Sequence, residues 1–188
     1  MPAPMKRGAN VALTREIPDL RSIVVGVRFA AGAEQVLIDN LVLATILCNE
    51  ESHALSDEHF VFFNQLQSPD LSVEQLTQAV GPDTEQVEID LTAVPDEVDR
   101  IVLIAYVNEA IAARRSLGQL KDCTVRVLNL ADNAELVKSE NLAPALSAET
   151  ALVLGEVYRH DGHWKFKVIG LGYADGIKAV ARDFGVHL

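Results

Sequence analysis

Asp161-Gly162 separates two strand-like runs, Ala151–His160 (ALVLGEVYRH) and His163–Gly172 (HWKFKVIGLG). A two-residue Asp-Gly link of this kind is a strong antiparallel-hairpin signal, because a type I′ turn needs φ > 0 at both positions. Trp164, Phe166 and Val168 alternate with Lys165 and Lys167. That period places the apolar set on a core face and the lysines in water. Tyr158, Trp164 and Phe166 are the large side chains expected to anchor this core.

The same period recurs upstream. In Glu85–Leu91 (EQVEIDL), Val87, Ile89 and Leu91 take one face and Gln86, Glu88 and Asp90 the other. Ile101–Val107 (IVLIAYV) is apolar throughout and short, which suits a central strand. Asn10–Thr14, Ser22–Phe29, Phe60–Asn64, Thr124–Leu130 and Glu135–Ser139 read as further strands. Val36–Cys48 is apolar for so long that helix and strand both remain open. Gln65–Thr84 is loop-rich, with a Ser-Pro-Asp and a Gly-Pro-Asp turn around a weak strand. Helical patterning is confined to Glu109–Arg115 and Ala174–Phe184, the latter with Asp175 as N-cap and Gly185 past its end. The pattern predicts an all-β, two-sheet β-sandwich with a short C-terminal helix and minor helical decoration. At 188 residues the chain suits one domain, 6–188, preceded by a short extension, 1–5.

Charge is distributed unevenly. No Lys or Arg occurs from Phe29 to Asp99, 71 residues that carry 15 acids. The net charge of −11 argues against a nucleic-acid partner, which requires a basic surface, and against docking on an anionic membrane. The acidic segment reads as a solvated face, as a divalent-cation region, or as a surface that meets the basic part of another molecule. The longest nearly apolar run, Leu41–Cys48, falls far short of the ~20 residues that span a membrane. The N-terminus has no apolar secretory core, and the expected location is cytoplasmic. Cys48 and Cys123 sit in apolar runs without metal-site spacing, so buried free thiols are expected.

No nucleophile elbow, P-loop or H-E-x-x-H helix is present, and the expectation is a protein that is not an enzyme. His160 and His163 should face each other across the hairpin, either as exposed polar residues or as a Zn²⁺ or Ni²⁺ pair beside Asp161. The better site candidates are loop acids. Asp39-Asn40 interrupts an apolar segment, Asp70 lies in the Ser-Pro-Asp turn, and Asp83 and Glu85 frame the start of the alternating strand. Hard carboxylate and amide oxygens of this kind suit Ca²⁺, while Asp and Asn are also ordinary turn formers.

Four segments together resemble the tellurium-resistance TerD family. Lys6-Arg7-Gly8-Ala9-Asn10 followed by Leu13-Thr14 is similar to the family's opening. Ser56–Glu74 (SDEHFVFFNQLQSPDLSVE) resembles its S-D-x-x-F-V-F-Y-N and S-P-D-G-S-V segment. Glu85–Val107 resembles its strand, Val-Pro turn and central strand. Glu149–Val186 resembles its C-terminal block nearly residue for residue. The resemblance runs from Lys6 to Val186 and makes Met5 an alternative start.

The resemblance implies a two-sheet sandwich, a cytoplasmic bacterial setting, and a role in tellurite resistance and general stress. It also implies other TerD-family proteins or stress-complex subunits as partners. Many members bind Ca²⁺ through Asp-Leu-Asp-Ala-Ser, Gly-Asp-Asn and Asp-Asp-Glu runs at one end of the sandwich. This chain has Ile38-Asp39-Asn40-Leu41 for the first, VEQLTQAVG over 73–81 in place of the second, and Asp83-Thr84-Glu85 for the third. Leu71 stands where the family has glycine after Asp70. Ca²⁺ takes about 6–8 oxygens. Asp39, Asn40, Asp70, Asp83 and Glu85 would therefore make at most one weak site. The sequence thus leaves a non-catalytic binding or assembly module with weak or no Ca²⁺ binding, and a calcium-binding stress sensor as the alternative.

Overall fold

The computed structural model describes residues 4–188. Its strands are β1 (Asn10–Ala12), β2 (Ser22–Ala30), β3 (Leu41–Cys48), β4 (Phe60–Val61), β5 (Val73–Gln75), β6 (Glu85–Asp90), β7 (Arg100–Val107), β8 (Asp122–Asn129), β9 (Glu135–Lys138), β10 (Ala151–His160) and β11 (His163–Tyr173). Two short α-helices, α1 (Gln35–Asp39) and α2 (Ile177–Asp183), and three single-turn 3₁₀ segments complete the described residues. The strands form a six-stranded sheet, β1-β11-β10-β7-β3-β4, and a five-stranded sheet, β5-β6-β2-β8-β9. Every pairing within the two sheets is antiparallel. This is the two-sheet sandwich that the patterning and the resemblance both implied.

The continuous apolarity of β3 and β7 has a packing cause. Leu41, Leu43, Leu47, Ile101, Leu103 and Val107 point between the sheets into the main core. Their neighbours Val42, Ala44, Ile46, Val102, Ile104 and Tyr106 form a second apolar layer on the outer face. There α2 covers them with Ile177, Val180 and Ala181. Strands buried on both faces lose the polar alternation that marks a half-buried strand. β7 is central, with β10 and β3 at its sides.

The open assignment over Val36–Cys48 resolves as one short helix and one strand. The Asn40 side chain donates to the Val36 carbonyl at 2.9 Å and closes α1. The Asn108 amide then donates to the Asn40 carbonyl and ties the start of β3 to the end of β7.

Glu109–Arg115, expected as a helix, is a series of turns. Only Ile111 and Ala112 of that run pack on the core, too little apolar face to hold so short a helix. Asp175 is not the cap of α2: Gly176 occupies that position at φ 76°. The far end of α2 matches expectation. Gly185 and Val186 donate back to the Arg182 and Ala181 carbonyls, a Schellman closure.

The hairpin forms as read, with Asp161 at φ 51° and Gly162 at φ 77°. His160 and His163 are direct partners across it. Trp164 and Phe166 are buried, whereas Tyr158 is only half-buried on the outer face. Of the residues placed in the N-terminal extension, 1–3 lie outside the described residues. Met5 bonds to the Lys138 carbonyl and accepts from the Glu140 amide, which joins the chain start to the β9 edge.

Candidate functional site

The turn Gly81-Pro82-Asp83 carries the chain back over the outer face of the five-stranded sheet. Asp83 ends there directly above Gly26 in the middle of β2. A Cβ at position 26 would overlap the Asp83 carboxylate, so glycine is required by close approach. Gln86 on β6 and Arg126 on β8 are the register partners of Gly26 on its two sides. Arg126 Nε donates to Asp83 Oδ1 at 2.8 Å, and Gln86 Nε2 donates to Oδ2 at 2.7 Å. The Asp83 side chain is 1% exposed. Its hydrogen bond and charge drive the Arg126 guanidinium above its ordinary pKa, against the opposing effect of burial.

Gln86, placed in water by the alternation of β6, is buried by this same loop. Its amide also donates to the Val80 carbonyl and accepts from the Val80 amide.

Asp70 is held differently. Its Oδ1 accepts from the Ser68 hydroxyl at 2.7 Å, the Ser72 amide at 2.8 Å and the Ser72 hydroxyl. Its Oδ2 is buried without a partner. Burial pushes the carboxyl up, but the bonds from Ser72 and Ser68, with the charge of His59, bring it below the usual range. Leu71, in the glycine position of the turn, adopts φ 65°. Asp39 is exposed at the end of α1 and accepts from Gln35 at 2.8 Å. Burial raises the Glu85 carboxyl, opposed by a 3.3 Å bond from Gln75.

The five candidates do not gather at one point. Asp39 and Asn40 share an end of the sandwich with Asp83 and Glu85, where β2 finishes and β3 and β6 begin. Asp70 belongs to the opposite end of β6, where the Asp90 amide donates to the Ser72 carbonyl at 2.8 Å. From Glu85 to Asp90 a strand advances roughly 17 Å. Among the described residues no three His, Cys, Asp or Glu side chains are grouped to hold a metal ion. Both oxygens of Asp83 are already taken, one by a cation. These residues do not fit a shared Ca²⁺ shell.

Sequence reasoning missed Gly26, Gln86 and Arg126. The available signal was the lone glycine inside SIVVGVRF, since a mid-strand glycine marks a close approach.

Comparison with known proteins agrees with the fold. The family model described as the TerD domain matches residues 1–184. The tellurium resistance protein TerD of Alcaligenes sp. is 34% identical over 100% of this chain and 99% of its own length. General stress protein 16U of Bacillus subtilis is 34% identical over 98% of this chain and 97% of its own. The crystal structure of a telluride resistance protein (TerD) homologue from Streptomyces coelicolor A3(2) superposes with a TM-score of 0.65 at 14% identity. It covers 86% of this chain and 95% of that one, a likeness of fold. With its strand order, its hairpin and a family match along nearly its whole length, the chain belongs to the TerD family.

Proposed function

We propose that this protein serves stress and tellurium resistance as a non-catalytic binding or assembly module in the cytoplasm, in company with other TerD-family proteins. The observation that carries this reading is the fate of Asp83. A carboxylate that would be a cation ligand instead fastens the 76–84 loop to the sheet through Arg126 and Gln86. The groups that burial perturbs most support it as well. The Cys48 and Cys123 thiols and the Tyr106 and Tyr173 phenols are each pushed up to about 12, chiefly by burial, and all four pack in or against the apolar layers.

The calcium-sensor alternative has one observation in its favour, the unpartnered Oδ2 of Asp70. Complementation separates the two. A tellurite-sensitive strain lacking this protein is supplied with wild type or with an Asp39→Asn, Asp70→Asn double variant. An assembly module restores resistance equally with both chains. Rescue by wild type alone, at matched protein levels, contradicts the proposal.

A further inference from the structure

We propose that the tip of the β10–β11 hairpin, with the residues after β1, forms a binding pocket for a multiply charged oxyanion such as a phosphate group. The pocket has a volume of about 380 Å³ and is lined by Ala12, Arg15, His160, Asp161, His163 and Lys165. That volume is within the ~300–1,000 Å³ of small-molecule sites.

Its construction follows from register. Ala12 on β1 is the direct partner of Lys165 on β11, and His160 is the direct partner of His163. His163 and Lys165 are two apart on one strand and so share a face. Trp164 between them turns inward and is buried. Ala12, beside the lysine, carries only a methyl group, and Arg15 also lines the pocket.

The charges select the ligand. Among the described residues, neither Arg15 nor Lys165 has a carboxylate within ion-pair distance. The one acid of the pocket, Asp161, is 3.3 Å from His160 and is 87% exposed. Lys167, next outward-facing residue on β11, has Glu156 as its cross-strand partner, whereas Lys165 faces Tyr158. Two cations without an ion-pair partner among the described residues therefore line one pocket with two imidazoles and a single, highly exposed acid, in a molecule of net charge −11. Arg15 and Lys165 would repel a metal ion, so the histidine pair suits a Zn²⁺ or Ni²⁺ ion less well than an anion, to which each imidazole can offer a ring N–H. A guanidinium beside an ammonium offers the charge-assisted donors that a phosphate uses.

The test is a titration of the full chain with inorganic phosphate, followed by amide NMR at ionic strength held constant with chloride. Saturable shifts confined to Ala12–Arg15 and His160–Lys165 are expected, with acetate binding more weakly. Arg15→Ala and Lys165→Ala should each weaken phosphate binding by about tenfold, the worth of one charge-assisted hydrogen bond. Arg15→Glu, at an exposed position, should abolish it without moving the melting temperature. Shifts that do not saturate, that acetate matches, or that persist in Arg15→Glu would overturn the proposal. So would saturable Zn²⁺ binding at His160 and His163 in the absence of any phosphate response.

Discussion

At the scale of single residues, Asp83 shows how a carboxylate changes role when one cation is placed beside it. Asp83→Ala would leave Arg126 and Gln86 partly unpaired beneath the loop. Arg126 keeps Glu135 at 3.6 Å, which limits the damage. Urea unfolding should register a loss of about 2–3 kcal/mol, below that of a fully orphaned buried pair. A loss under about 0.5 kcal/mol, the usual range of a surface change, would mean the carboxylate is not a fastening.

Asp70 gives the pH dependence. Its folded pKa is depressed, so its stabilisation is present above the unfolded value, near 3.9, and disappears as pH falls through the folded one. Asp70→Asn should therefore flatten the fall in stability below about pH 4, measured by unfolding at several pH values. An unchanged acid slope in that variant would contradict the assignment. The importance of Asp70 and Asp83 was legible from their turns. Their partners were not, because Arg126 is 43 residues from Asp83 in the chain and only strand order brings them together.

At the scale of elements, the hairpin and its core contacts separate two kinds of cost. Gly162 has open space where a Cβ would go, so Gly162→Val acts through φ alone. It should lower stability by about 1–2 kcal/mol, and an unchanged melting temperature would show the turn to be misassigned. Trp164→Ala removes packing instead. Trp164 is 6% exposed, with the Arg159 guanidinium 4.3 Å from its ring centroid. Arg159 in turn donates to the Val94, Pro95 and Val98 carbonyls, so the hairpin also anchors the connection before β7. A loss of about 3–5 kcal/mol is expected, and native fluorescence typical of water-exposed indole would contradict the burial behind it.

Strands with period-2 alternation were readable because one face meets water. β3 was ambiguous because both of its faces are buried, and α1 was hidden because it is five residues long. The Glu109–Arg115 helix failed because its periodicity came without enough buried surface to hold it.

At the scale of the whole molecule, topology converts the charge asymmetry of the chain into a spatial one. The segment without Lys or Arg supplies α1 and β3 to β6, and β4 and β5 are the outermost strands of the two sheets on one side. β1 and β9 are the outermost strands on the other, joined through Met5, with Lys138, Lys165 and Lys167 nearby. The asymmetry itself was legible in the sequence. Which acids lie near one another was not, because acids of one short segment, Asp70 and Asp83, are placed at opposite ends of β6. The central claim is that Asp83 is committed to the fold and that the five candidate residues do not form one Ca²⁺ shell. Thermal melting of chelator-stripped protein, with and without millimolar Ca²⁺ and with Mg²⁺ as control, tests it most directly. The account predicts a shift of about one degree, the same for both ions, as expected from screening. A Ca²⁺-selective rise on the order of 5–10 °C, abolished by Asp83→Ala, would contradict it.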